Sequence, residues 1–254
     1  MRQRLARASV FVVLALLFVG ASMGAPDIDE ELKRLEALRD TGDFELILEE
    51  LEALHAEHPG HAGILWRMAR TRTDVARRVE DEDHQQALFR QAFDEATTAV
   101  GLDPESSNAH LTKAVCAGRL ALVEGTRRRV ELSREMRTHA DHAITLDQTN
   151  DLAYHVRGRW HYEIAGLGWA ARTVMRIVYG GLPDASYAQA EDDYRQAIAL
   201  QDRVVHRYEL GRVLQALGRT GEAKEQYQKT IAMPYGDVTD VIYKRRAHRL
   251  LIQM

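Results

Sequence analysis

The sequence predicts an all-α solenoid: antiparallel helix pairs stacked in one direction, with elongated hairpins and a C-terminal capping helix. Three observations predict it. Small residues recur at a fixed interval, with Ala69, Ala114, Gly158 and Gly211 lying 14 or 15 residues after Leu54, Ala99, Ala143 and Ala197. A repeated helix crossing needs a small side chain at the same place in every unit, and the interval assigns that crossing to helix B of one unit against helix A of the next. Stop signals fall between the periodic segments, at His58-Pro59-Gly60, Asp103-Pro104 and Met233-Pro234. Composition agrees, since 28% charged residues, 7% aromatics and five prolines suit helices better than sheets.

Inside a unit the interval varies. From Gly211 to Thr230 it is 19 residues, but in the three preceding units it is 30, 29 and 39. The shortest is the spacing of a plain tetratricopeptide repeat of about 34 residues. The junctions are held while the hairpin tips grow, which makes the fold a tetratricopeptide-like α-solenoid with long hairpins. Extra residues shared between two helices at about 5 each would lengthen each helix by roughly 8 Å.

Met1 to about Gly24 reads as an export signal. Arg2, Arg4 and Arg7 form a positive n-region, Ala8–Gly20 an apolar stretch of 13 residues, and Gly20-Ala21-Ser22-Met23-Gly24-Ala25 a small-residue cleavage region. Cleavage after Gly24 is the preferred reading and an uncleaved anchor the alternative, although about 20 apolar residues are needed for a span. The expected location is therefore exported, with the periplasm first and secretion or signal anchoring as alternatives. Removing the segment leaves 31 basic and 38 acidic residues, net −7. Such a balance does not suggest wholesale nucleic-acid binding. Cys116 is the only cysteine, so no intramolecular disulfide forms, and its place in Ala114-Val115-Cys116-Ala117 reads as a small buried hydrophobe.

Residues 25–254 read as a single domain of five units, about 28–59, 61–104, 107–148, 151–202 and 205–234, with a capping helix over about 239–252. The first unit lacks the Trp/Gly/Tyr signature and reads as a degenerate cap, turning at Thr41-Gly42-Asp43. In the second, Leu65-Trp66-Arg67-Met68-Ala69-Arg70 lies on helix A and Ala92, Ala96 and Ala99 on helix B, with Asp83 the expected cap of helix B. Ser106, Ser107 and Asn108 are capping candidates for the third unit. Its tip carries Arg127-Arg128-Arg129, read as a solvated turn. The fourth carries Tyr154, Gly158, Trp160 and Tyr162, then an insertion in which a short helix is expected over about Trp169 to Tyr179, closed by Gly180-Gly181 and Pro183. The fifth is the cleanest, with Gly211, Leu214, Gly218, Ala223 and Tyr227 at repeat positions.

The stretch Ile64-Leu65-Trp66-Arg67-Met68-Ala69-Arg70, the 44-residue spacing and the insertion after Gly158–Trp160 together resemble the regulator of microtubule dynamics protein family. Trp169, Arg172 and Pro183, with Ser186-Tyr187 opening the return helix, are the telling residues of the insertion. The likeness runs from about Asp27 to Ile252. It implies an all-helical, tetratricopeptide-like, non-enzymatic protein. The family name implies a microtubule role in animals, which is not carried over, because a bacterial-style export signal precedes the domain.

Such folds bind along the groove lined by their A helices. Counting from each helix start places Trp66 and Arg70 on that groove with Asp74, then Arg119 with Leu111 and Val115, His155, Arg159 and Tyr162, and Tyr208 and Arg212. Arg70, Arg119, Arg159 and Arg212 form an expected electropositive strip, suited to an acidic or C-terminal segment of a protein partner. The competing expectation is that several of these arginines pair with internal acids such as Asp74 and Glu163. A second functional reading is a carrier whose groove, closed by the inserted helix 169–179, holds an apolar or amphiphilic ligand. Trp169, Arg172 and Arg176 on that helix suggest contact with a membrane surface or partner, against the plainer reading of a plug on the concave wall. No nucleophile elbow, phosphate loop or metalloprotease helix appears, so no enzyme and no cofactor is expected. His139 and His142 share a helical face but lack a third ligand, so no metal site is expected either.

Overall fold

The computed structural model describes residues 27–168, 171, 173, 177–178, 180–181 and 183–254. Eleven α-helices are delimited among these residues, and no strand. The all-α, tetratricopeptide-like fold predicted from the sequence is the fold observed. The export segment lies outside the described residues, as do Trp169, Arg172 and Arg176 of the insertion. Of the expected inserted helix, Ala171, Thr173, Ile177 and Val178 are helical.

Helices α1 (Ile28–Leu38) and α2 (Phe44–Glu57) form a short hairpin. The pairs α3 (Ala62–Ala76) with α4 (Glu82–Leu102), α5 (Ser107–Val123) with α6 (Thr126–Leu146), and α7 (Asp151–Ala165) with α8 (Tyr187–Leu200) follow. Last come α9 (Val204–Ala216), α10 (Thr220–Ala232) and α11 (Asp240–Ile252). From α2 onward each helix packs on the one that follows it, while α3, α5, α7 and α9 touch one another in series and line the inner face. Side-chain caps fix most starts. Asp27, His61, Ser106, Asn150 and Ser186 each accept from a backbone N–H in the first turn. Asp81, not Asp83, caps α4, accepting from the His84 N–H at 2.7 Å. One residue inside the helix, Asp83 instead adds negative charge to the first turn.

Two structural expectations are corrected. The spacing places the glycines where one unit meets the next, yet they lie inside hairpins. A Cβ on Gly211 would sit 2.5 Å from the Tyr227 ring, and one on Gly158 would sit 3.1 Å from the Asp193 Cβ. Both neighbours belong to the second helix of the same pair. The large ring of Tyr227, fully buried, needs the space that a missing side chain leaves, so the glycine follows from the tyrosine. The hairpin extension is also unequal. Helices α4 and α6 have 21 residues and α10 has 13, whereas α3 and α5 have 15 and 17 against 13 for α9. The second helices therefore grow by about 12 Å, the first ones by only about 3–6 Å.

The superhelix curls until its ends approach. Val238, in the loop before α11, lies against the α1–α2 turn, where its Cγ1 is 3.6 Å from the position of a Cβ on Gly42. Gly42 holds φ +80°, and Arg78 donates to its carbonyl at 2.8 Å. Val238 also packs on the apolar cluster of Leu32, Leu35 and Ile47. The concave face is thus enclosed by the chain itself, with α11 packed on α9 and α10.

Candidate functional site

Inside the curl a cavity of about 350 Å³ opens between α5, α6 and α7, with Tyr243 of α11 on its rim. Its walls are mostly apolar, with Val115, Val130, Met136, Val156, Trp160 and Ile164 contributing. Trp160 is placed firmly, because its Nε1 donates to the Ser133 carbonyl at 2.8 Å while the ring stays buried. Leu122, beside the cavity, is 65% exposed, which extends the apolar surface outward.

Four charged side chains line this cavity, and three of them are answered locally. Arg129 donates to the carbonyls of Ala121 and Glu124 at the end of α5, at 2.9 and 3.0 Å. Arg159 lies 3.8 Å from Glu163 and 3.7 Å from Glu209. Arg119 has no hydrogen-bond or ion-pair partner among the described residues. Enclosure pulls its guanidinium down to about 10, with Arg77 and Arg159 adding repulsion. The acid expected nearby, Asp74, is held by Arg39 at 2.5 Å and by Arg77 at 3.4 Å. A half-buried cation without an acid, facing an apolar chamber, has donors that an anion could satisfy.

The structure sorts the predicted groove residues into three groups. Arg119, His155 and Arg159 meet at the cavity. Tyr162 and Arg212 lie beside it: the Arg212 guanidinium covers the Tyr162 ring at 4.4 Å and donates to Glu209 at 2.8 Å. Trp66, Arg70 and Tyr208 do not belong to the site. Trp66 is buried with Leu65, Ala99 and Ala109, beneath the guanidiniums of Arg67 and Arg70. Arg70 pairs with Glu36 of the first hairpin, and Tyr208 packs between Tyr227 and Tyr243 in the core. Counting along a helix gives a face but not which neighbour covers it, and here α1 and α11 cover the two ends of the expected groove.

The electropositive strip is therefore largely neutralised, as the competing expectation held, but mainly by an acid it did not name. Glu209 is 2% exposed and serves both Arg159 and Arg212. Its signal is present in Tyr208-Glu209-Leu210, an acid between two core residues. Also missed are His206 and Asp151 behind the cavity. His155 Nδ1 is 3.0 Å from His206 Nδ1, and His206 Nε2 is 2.8 Å from Asp151 Oδ2.

Other chemistry-bearing residues are structural. Cys116 is buried against Thr73, and burial pushes its thiol up to about 12. Arg127 and Arg128 of the tip pair with Glu131 and Glu135. His110 Nδ1 bonds His139 Nδ1 at 2.8 Å and its Nε2 donates to the Pro104 carbonyl; among the described residues no group of three or more His, Cys, Asp or Glu is arranged to hold a metal ion.

Helical pairs curled around a mostly apolar chamber define a tetratricopeptide-like helical scaffold. The solved structure of a thermophilic TPR protein from Thermus thermophilus shares this fold, with TM-score 0.65 and 18% identity over 87% of this chain and 98% of that one. Residues 31–254 match the model of regulator of microtubule dynamics protein 1-3, and the chain belongs to that family. It is 25% identical to regulator of microtubule dynamics protein 3 of Bos taurus over 91% of this chain and 50% of that protein. It is also 25% identical to regulator of microtubule dynamics protein 1 of Caenorhabditis elegans over 87% and 98% respectively. The chain spans 30 to 58% of the length of three vertebrate relatives it matches.

Proposed function

We infer that this protein is a non-enzymatic carrier of an amphiphile, which lodges an apolar chain in the cavity and presents an anionic group to Arg119. The observation that carries this reading is Arg119 itself, a cation without an acid at the edge of an apolar chamber. Volume is compatible, since small-molecule sites run to about 300–1,000 Å³. The chamber is built on helices, so its shape is fixed before the ligand arrives. The rival reading, a groove for an acidic peptide, is less well supported. Arg70, Arg159 and Arg212 already hold acids, and an extended segment would have to part the contact between Val238 and the first hairpin.

Export to the periplasm belongs to the same proposal and rests on the N-terminal pattern of arginines, apolar stretch and small residues. Exposed Ile177 and Val178, at 77% and 61%, support a membrane-facing role for the insertion. Native mass spectrometry of the protein purified from its own cells tests the carrier. A retained anionic amphiphile, lost in Arg119→Gln, is expected. A clean apoprotein that takes up acidic peptides but no amphiphile would overturn it.

A further inference from the structure

We propose that His155, His206 and Asp151 form a proton-uptake relay on the cavity wall, so that an anion entering beside Arg119 brings one solvent proton into the protein. This deepens the carrier reading and rests on it. The tautomers follow from the bonds. Asp151 also accepts from Arg203 Nε at 2.6 Å, and both partners hold its carboxyl below the usual range. An ionised carboxylate only accepts, so His206 Nε2 carries a proton. In neutral His206, Nδ1 is then the acceptor, and His155 must donate its own Nδ1–H across the 3.0 Å bond. His155 lines the cavity, and its Nε2, with no partner among the described residues, is left as a bare lone pair. That face repels an anion.

Adding a proton at His155 Nε2 reverses the chain. The shared proton moves from His155 Nδ1 to His206 Nδ1, which places the positive charge on His206, beside Asp151. His155 is left neutral with Nε2–H as a donor. One proton enters from solvent, one shifts along a hydrogen bond, and no other bond changes. In the empty cavity this is disfavoured by burial and by the charges that face the pair: Arg119 from α5, Arg159 from α7, and Arg203 at the start of α9. Asp202, just before α9, favours it together with Asp151, and Tyr194 of α8, edge-on to His155 at 5.3 Å, stays neutral, its hydroxyl pushed far up by burial. An anion that answers Arg119 removes one of the two arginine repulsions on the cavity side and gives the new donor an acceptor. His155 is the ligand-facing residue; His206 and Asp151 are positioning residues.

Calorimetric titration of the full chain with 1-decanesulfonate at pH 6, in buffers of different ionisation enthalpy, reads the proton count. The sulfonate takes up no proton at this pH, so any uptake belongs to the protein. Uptake approaching one proton per ligand is expected, with affinity rising up to tenfold per unit of falling pH. In Asp151→Asn the amide oxygen still accepts from Arg203 Nε and His206 Nε2, but the negative charge that would hold a protonated His206 is gone. His155→Gln supplies a donor that does not titrate. Both are expected to bind with uptake near zero while thermal melts confirm folding. Tight binding by the wild type with no uptake would overturn the relay and leave the carrier standing. No binding of the sulfonate at all would overturn the carrier, and the relay with it.

Discussion

Arg212 and Arg119 occupy the same kind of position, on an inner helix facing the concave side, yet they do opposite things. Arg212 and its neighbour Arg159 close on Glu209, a carboxylate 2% exposed, and the Tyr162 ring covers what is left of the Arg212 charge. For Arg119 the acid that acts on it, Asp74, is already taken by Arg39 and Arg77, and its guanidinium faces an apolar chamber instead. One region uses arginine to hold helices together, the other leaves it available. What separates them is the position of a single carboxylate, not the residue type or its helical phase.

The largest expected effect on stability comes from removing that carboxylate. Glu209→Gln leaves Arg212 without an acid and Arg159 with Glu163 alone, and is expected to cost about 3 kcal/mol, the range for breaking a buried ion pair; urea unfolding measures it. Arg119→Gln is the converse. It relieves an enclosed, unanswered cation, so stability is expected to hold or rise slightly, while affinity for an anionic amphiphile falls roughly tenfold or more. If Arg119→Gln unfolds the protein instead, the two regions are not different in kind.

Packing inside the hairpins supplies the next test. Gly211→Ala drives a methyl into the buried Tyr227 ring, and the overpacking is expected to cost about 1–3 kcal/mol. A melting temperature at or above wild type would show that the ring gives way freely. Acidification gives a smaller, graded effect. Burial holds His139 and His161 down to about 4 and His155 well below its ordinary value in the folded protein. Below about pH 6.5 the unfolded chain therefore binds protons that the folded one does not. Stability contributed by these groups is full above that pH, declines toward pH 4, and flattens for His139 and His161 once both states are protonated. Melting temperatures across that range check the sign. Smallest of all, Arg127→Ala at the α6 tip, 85% exposed, should stay within about 0.5 kcal/mol of wild type.

The sequence carries the fold further than the site. Spacing of small residues, Pro/Gly stops and capping residues such as Ser106 are local signals, and they are enough to name helix pairs and elongated hairpins. They do not say what the small residues pack against. Gly158 and Gly211 make room for side chains of their own hairpins, because what a helical residue faces depends on the size of its partner as much as on its phase. The site depends on neighbours distant in sequence: Glu36 removes Arg70, Asp74 goes to Arg39, and Tyr243 arrives on the rim only because the solenoid curls. His155, Arg119 and Arg159 are legible as facing inward. Nothing local distinguishes the one arginine without an acid from the three that have one.

In the proposed carrier Arg119 recognises the anion and Arg212 does not. Equilibrium binding of 1-decanesulfonate to wild type, Arg119→Gln and Arg212→Gln compares them directly. A loss of tenfold or more for Arg119→Gln, with less than threefold change for Arg212→Gln, is the predicted result. Equal losses in both variants, or none in either, would contradict it.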